Sequence, residues 1–150
     1  HNQIKILDYN RVLKSNLSCE KIINIISKNF KIKKIKNNTK NLKKGFLEMY
    51  MSNQWYLLKL IKKNNKLDVT ILHEKIISKI KATKVDFISG INGSNRLKKL
   101  VNSRKFNIAF KLSPTNISSV MRIADKKRFM PPKSTWFHPK PLDGLICSEL

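Results

Sequence analysis

Four of the five prolines in this 150-residue chain are concentrated near its C-terminus. They fall in Met130-Pro131-Pro132-Lys133-Ser134-Thr135-Trp136-Phe137-His138-Pro139-Lys140-Pro141-Leu142-Asp143-Gly144-Leu145. Proline fixes φ and has no backbone donor, so this run is excluded from helix interiors and central strands. It predicts a stiff, extended segment that holds Lys133, Lys140, Ser134, Thr135, His138 and two aromatic rings in fixed directions. Ordinary surface loops are softer and richer in Gly, Ser and Asn. A rigid loop carrying cations and hydroxyls together is the leading candidate for chemistry in the chain.

The length fits one domain with a hydrophobic core, and a 41% hydrophobic content is far from the disordered range. No apolar run reaches the roughly 20 residues that span a bilayer, and no signal peptide is visible. Cys19 and Cys147 match no metal-ligand spacing. Two free thiols in the cytoplasm, with no membrane partner, is the resulting expectation. The chain begins at His1, and its first segment already reads as a strand. That predicts a portion of a longer protein.

The net charge of +23 has two readings. One is a polyanionic partner, because Lys and Arg drive nucleic-acid affinity by counterion release. The other is codon drift in an AT-rich genome: 27 lysines, 19 isoleucines and 16 asparagines stand against 5 arginines. Base and phosphate recognition favours Arg for its bidentate fork, and the lysines are spread along the whole chain. Drift is the favoured reading. Weak nonspecific binding to nucleic acid at low salt follows from the charge either way.

Hydrophobic periodicity predicts an α+β domain with a mixed sheet of about seven strands and about four helices. Gln3 to Leu7 alternates, and Val12-Leu13 extends it beyond a break at Asp8-Tyr9-Asn10. Ser18 caps a helix from Cys19 to about Lys28. Phe30 to Ile35 reads as an edge strand, and Lys36 to Lys44 as a solvated loop. Phe46 to Met51, a turn at Ser52-Asn53 and a return strand to Ile61 form a hairpin, apolar on both faces and therefore central. Asp68 is expected to cap a helix through about Ile80. Val85 to Ser89 is a strand, followed by a helix from Asn95 to about Ser103 and a strand from Phe106 to Leu112. Ser113-Pro114-Thr115 opens a last helix, whose apolar stripe is Ile117, Val120, Met121 and Ala124. A final strand is expected from about Gly144 to Ser148.

Lys133-Ser134-Thr135 looks like the end of a phosphate-binding P-loop, but prolines replace the glycine-rich turn whose N–H groups cradle phosphate. Side-chain contacts to phosphate from Lys133, Ser134, Thr135 and Lys140 remain open. So does a structural role, with the lysine paired and the hydroxyls turned to the loop backbone. His138 is a lone histidine, more commonly packed or solvated than a base. No histidine or cysteine spacing predicts a metal site. Gly90-Ile91-Asn92-Gly93-Ser94 follows a strand and opens a helix, a context suited to anions but also to a plain turn. Asp8-Tyr9-Asn10-Arg11 interrupts a strand and is expected to aim Asn10 and Arg11 sideways, as further phosphate-binding candidates.

Several segments resemble one family. Asn2 to Lys14 is similar to a "QIxDYNRVVKD" motif, Leu67 to Glu74 to "LDVxILxE", and Val85 to Ile91 to "IDFVGGI". Ala109 to Thr115 resembles "AFxLxPT", and Met130 to Leu145 resembles "MPPKSTxFxPKxxxGL". In this order they resemble the uncharacterised family known as domain of unknown function 1015, over nearly the whole chain. The resemblance implies that the chain corresponds to the C-terminal part of longer members. It also implies a missing N-terminal part with a "DGHHR"-type motif and a ParB/sulfiredoxin-like fold, the fold of free-serine kinases. By that analogy the whole protein is expected to be a nucleotide-dependent phosphotransferase on serine, phosphoserine or a similar small metabolite. ATP or ADP with Mg2+ would be its cofactor, and the fragment alone would be inactive. The family's loop around Lys36 to Lys44 is less basic than the one here. The alternatives are a ParB-like nucleic-acid-associated protein and a non-catalytic scaffold domain. The absence of clustered Arg, aromatic platforms or a helix-turn-helix weighs against the nucleic-acid reading.

Overall fold

The computed structural model describes residues 5–62, 65–127 and 129–138. Its centre is a six-stranded sheet built from β2 (Tyr9–Ser15), β3 (Phe30–Ile35), β4 (Phe46–Met51), β5 (Gln54–Leu60), β6 (Ala82–Ser89) and β7 (Ile108–Lys111). The spatial order is β3-β5-β4-β7-β2-β6, and every pairing is antiparallel. A second sheet pairs β1 (Lys5–Leu7) with β8 (Trp136–His138), also antiparallel. Four α-helices complete the described residues: α1 (Cys19–Ser27), α2 (Asp68–Leu72), α3 (Gly93–Asn102) and α4 (Ile117–Asp125). The α+β class expected from the sequence holds, with its four helices.

Strand alternation explains the layering. Leu47, Met49 and Met51 of β4, Ile108 and Phe110 of β7 and Leu13 of β2 share one face. They pack with Ile22 and Ile26 of α1 and with Val69, Ile71 and Leu72 of α2. The opposite face presents Tyr50, Trp55, Ala109 and Val12 to Leu97 and Val101 of α3. The central strands β4 and β7 are thus apolar on both sides, as a strand covered by helices on both faces must be. The hairpin turns on Ser52 and Asn53, both with positive φ, the geometry that a tight two-residue hairpin needs. Ser18 caps α1 by accepting the Lys21 N–H. After Leu72 the helix widens into a π-helical stretch, His73–Ile77, that keeps Ile76 in the core.

Several expectations are corrected. The first strand is interrupted at Asp8 alone, and its halves join different sheets. Tyr9 to Arg11 are regular β2 residues, so Asn10 and Arg11 are buried within the sheet and not turned aside at a bulge. The third helix begins earlier, at Gly93, after a 3-10 turn over Gly90–Asn92. Pro114 precedes α4 without entering it: Asn116 is the cap, accepting the Ser119 N–H at 2.8 Å. The apolar stripe of α4 is not its buried face. Ile117 and Met121 are more than half exposed, whereas Ser119 is buried and Ile123 packs on the core. Asp68 is the first residue of α2 rather than its cap. The final strand expected at 144–148 lies outside the described residues.

Gly90 sits where β6 ends beside Asp8. Its N–H donates to the Asp8 carbonyl at 2.8 Å, and a Cβ on it would stand 2.3 Å from Asp8 Oδ1 and 3.1 Å from the Asp8 carbonyl oxygen. A side chain there requires the Asp8 carboxylate to turn aside and the Asp8 backbone to give by a few tenths of an ångström. Gly90→Ala should therefore lower stability by about 1–3 kcal/mol, the usual cost of overpacking. A urea titration should show a lower midpoint with an unchanged slope; an unaltered midpoint would mean that the Asp8 segment yields freely.

Candidate functional site

The Pro-rich loop is tied to the sheet by one cation. Arg11, only 3% exposed, donates from Nη2 to the Lys133 carbonyl at 2.9 Å and from Nη1 to the Tyr9 carbonyl at 2.8 Å. Longer bonds reach the carbonyls of Asn10, at 3.4 Å, and Pro132, at 3.5 Å. Its guanidinium lies over the Phe87 ring, 4.4 Å from the centroid. Burial pushes the Arg11 pKa down to about 10, so the group is fully charged at neutral pH. A planar fork with five donors can serve carbonyls on two segments while its face stacks on an aromatic ring.

Further contacts fix the loop. Ser134, buried, donates its hydroxyl to the Pro131 carbonyl, and Thr115 Oγ1 donates to the Ser134 carbonyl at 3.2 Å. Lys133 has φ +54°, a left-handed conformation that a side chain rarely adopts, and its ammonium lies 5.7 Å from the centre of the Tyr9 ring. Tyr9 meets Trp136 edge to face at 5.4 Å.

A narrow cleft with about 40 Å³ of solvent-sized space opens between this loop, the segment leading into α4 and the start of α2. Its polar lining is Tyr9, Lys44, Asp68, Ser113, Thr115, Asn116, Ser119 and Ser134. Asp68, which the sequence reading assigned as a cap, accepts the Gly45 N–H at 3.1 Å to each oxygen and the Ser113 hydroxyl at 2.7 Å. Gly45 has φ +83°, and Asp68 thereby anchors the loop that carries Lys44. With about 40 Å³ of space and Lys44 as the cation that lines it, the cleft admits only a small polar group. Both Asp68 oxygens are engaged, and among the described residues no group of three or more His, Cys, Asp and Glu side chains converges as a metal site. The donor set does not fit a Mg2+ cage, which needs free carboxylate oxygens.

Of the residues singled out in the sequence, the fold brings Arg11, Lys133, Ser134 and Thr135 together at the loop. Only Ser134 of these lines the cleft. Asn10 Oδ1 accepts the Leu112 N–H at 3.0 Å inside the sheet. His138 is exposed and pairs with Lys5 in the small sheet. Lys140 lies outside the described residues. Lys44, Asp68, Ser113 and Thr115 were not singled out. Ser113-Pro114-Thr115 did stand out in the sequence, but as a helix start.

A second polar group lies at the sheet's other face. Glu48, fully buried, accepts the Thr39 N–H at 2.7 Å and the Thr39 hydroxyl, and lies 3.5 Å from Lys111 Nζ. Asp8 is held by its own backbone and by Asn10, and burial still pushes its carboxyl pKa upward.

The family described as "Protein of unknown function (DUF1015)" matches residues 1–85, more than half of the chain, and the chain belongs to that family. No curated protein matches the sequence. Among solved structures, a mutant free serine kinase in complex with AMP is similar at TM-score 0.58 and 11% identity, covering 91% of this chain and 55% of that one. A second mutant of a free serine kinase, in complex with ADP, gives TM-score 0.54 and 12% identity, covering 91% and 54%. A conserved hypothetical protein from Pyrococcus furiosus gives 0.58 and 12%, covering 91% and 57%. The likeness at these identities is one of fold. The chain spans little more than half the length of these structures. No helix among the described residues is long and apolar enough to cross a membrane.

Two outcomes test the site's electrostatics. Arg11→Met would leave the Lys133 and Tyr9 carbonyls without a charged donor. It should cost about 1.5–3 kcal/mol and speed amide exchange across residues 133–138; unchanged exchange there would mean that other contacts hold the loop. For Asp8 the folded pKa lies above the unfolded one, so the fold favours the protonated form. The stabilising share is present below the unfolded value of 3.8 and is lost as pH rises through the folded value. Asp8→Asn should therefore raise the thermal midpoint at pH 7, with the gain vanishing towards pH 3.8. A loss at pH 7 would contradict the desolvation cost.

Proposed function

We propose that this chain is the C-terminal half of a nucleotide-dependent phosphotransferase acting on a small metabolite such as serine or phosphoserine. The observation that carries the reading is the cleft. Lys44 and the hydroxyls of Ser113 and Thr115 meet there at the N-terminal end of α4, beside a rigid loop bearing Lys133. Cations, hydroxyls and a helix N-terminus are what phosphate oxygens need. Phosphoryl transfer asks mainly for positioned positive charge rather than a covalent nucleophile. The fold likeness to free serine kinases in complex with AMP or ADP supports the same ligand class.

In this reading Lys44 and Lys133 hold phosphate oxygens, while Ser113, Thr115 and Ser134, whose hydroxyl protons go to Asp68, the Ser134 carbonyl and the Pro131 carbonyl, shape the wall beside them. Arg11 acts at one remove by fixing the loop. Its donors serve backbone carbonyls, which changes its role from the phosphate contact expected from the sequence. Thr135, His138 and Lys140 have no assigned part in it. ATP or ADP would supply or accept the phosphoryl group.

Calorimetric titration of the protein with ADP, ATP and AMP tests the reading. A nucleotide should bind, and Lys44→Ala or Lys133→Ala should each weaken it about tenfold, roughly 1.4 kcal/mol, without loss of thermal stability. Nucleotide affinity that ignores both lysines would remove the cleft from the site. Binding to single- or double-stranded nucleic acid with steep salt dependence, and none to nucleotides, would favour the nucleic-acid reading instead.

A further inference from the structure

The cleft of about 40 Å³ has room for a phosphate-sized group and little else. A nucleotide whose phosphate enters it must leave its larger part outside. A groove of about 380 Å³ adjoins the cleft, within the roughly 300–1,000 Å³ of sites that hold small organic ligands. Lys44 and Asp68 line both spaces.

Strand pairing places the join. Phe46 of β4 lies opposite Lys59 of β5. Gly45 carries the hairpin one step further, its carbonyl accepting the Leu60 N–H at 3.2 Å. The Gly45 N–H goes to Asp68 on the other side. Lys44 is thus held where the cleft gives way to the groove.

The groove differs from the cleft in chemistry. Its apolar lining is Phe46, Leu60 and Ile71. Ile71 belongs to the core beneath α2, whereas Phe46 and Leu60 are only half-buried. Among the described residues Phe46 packs in neither apolar cluster. The Lys59 ammonium lies 5.8 Å from the centre of its ring. A large ring left out of the core, at the wall of a cavity and beside a cation, suits a flat aromatic ligand with a polar rim. Lys44 and Lys59 give the groove positive charge. The carboxylate in its wall, Asp68, has both oxygens engaged by Gly45 and Ser113.

We infer that this groove is the nucleoside subsite of the nucleotide. The base lies against Phe46 and Leu60, and the phosphates run past Lys44 into the cleft. The inference rests on the phosphate reading of the cleft and assigns the part of the ligand that the cleft is too small to hold. Lys44 then serves as the hinge between the two subsites, and Phe46 contributes affinity for the base without touching phosphate.

Titrations with ADP, and with inorganic pyrophosphate as a ligand lacking the nucleoside, separate the two parts. Phe46→Leu keeps an apolar side chain but removes the ring. It should weaken ADP about tenfold, as the loss of one base stack does, and leave pyrophosphate binding unchanged. Phe46→Tyr restores a ring and should restore ADP affinity, which a disturbed fold would not do. Lys44→Ala should weaken both ligands. Nuclear Overhauser contacts should join the adenine protons of bound ADP to the Phe46 ring and the Leu60 methyls. ADP binding that needs Lys44 but ignores Phe46→Leu, or adenine contacts at other residues, would overturn the groove assignment and leave the phosphate cleft standing. Binding that needs Phe46 but ignores Lys44 would support the groove and remove the cleft. No ADP binding would overturn both.

Discussion

The guanidinium of Arg11 is the contact on which the arrangement around the cleft depends. A proline-rich segment has few donors of its own, and among the described residues only its Trp136–His138 part joins a ladder, with β1. Here the sheet supplies the donors. Arg11 reaches out of β2 to the carbonyls of Lys133 and Pro132, and stacks on Phe87 from the neighbouring strand. Burying a charge is costly unless its hydrogen bonds are filled. The cost is met here by carbonyl acceptors and an aromatic face rather than by a carboxylate. With the loop fixed, Ser134 and Thr115 meet, and the cleft acquires a wall.

A second constraint works from the opposite side. Asp68 joins the Gly45 turn to Ser113, so the Lys44 loop, the start of α2 and the approach to α4 are tied together by one carboxylate. Three segments far apart in sequence thus converge on one cleft. Polar residues with local partners, such as Asn116 on Ser119 and Ser134 on Pro131, shape its edges. The amphipathic α4 leaves Ile117 and Met121 exposed beside this region. The chain spans little more than half of the structures it resembles.

Much of the fold was legible because strand alternation and helix spacing are local signals. The Phe46-to-Ile61 hairpin, the Ser18 cap and the two-sided burial of β4 needed only neighbouring residues to be read. The misreadings share one cause, which is tertiary partners distant in sequence. Asp68 before an apolar helix looks like a cap, and nothing local reveals that Gly45 and Ser113 claim both of its oxygens. Ile117 and Met121 have the spacing of a core stripe, yet the core lies toward Ser119 and Ile123. Arg11 stood out beside a strand break, but its partners in the loop lie 121 and 122 residues away. The candidate site was half legible: the Pro-rich loop was marked by its prolines, while Lys44 was one lysine among 27.

The central claim is that the Arg11-tethered loop and the segment entering α4 form one ligand-binding unit. Amide chemical-shift mapping during an ADP titration addresses it most directly. The account predicts concerted shifts at Lys44, Ser113, Thr115 to Ser119 and Lys133 to Thr135, with Arg11 side-chain resonances following the loop. Shifts confined to the scattered lysine surfaces, or none at these positions while ADP binds elsewhere, would contradict it.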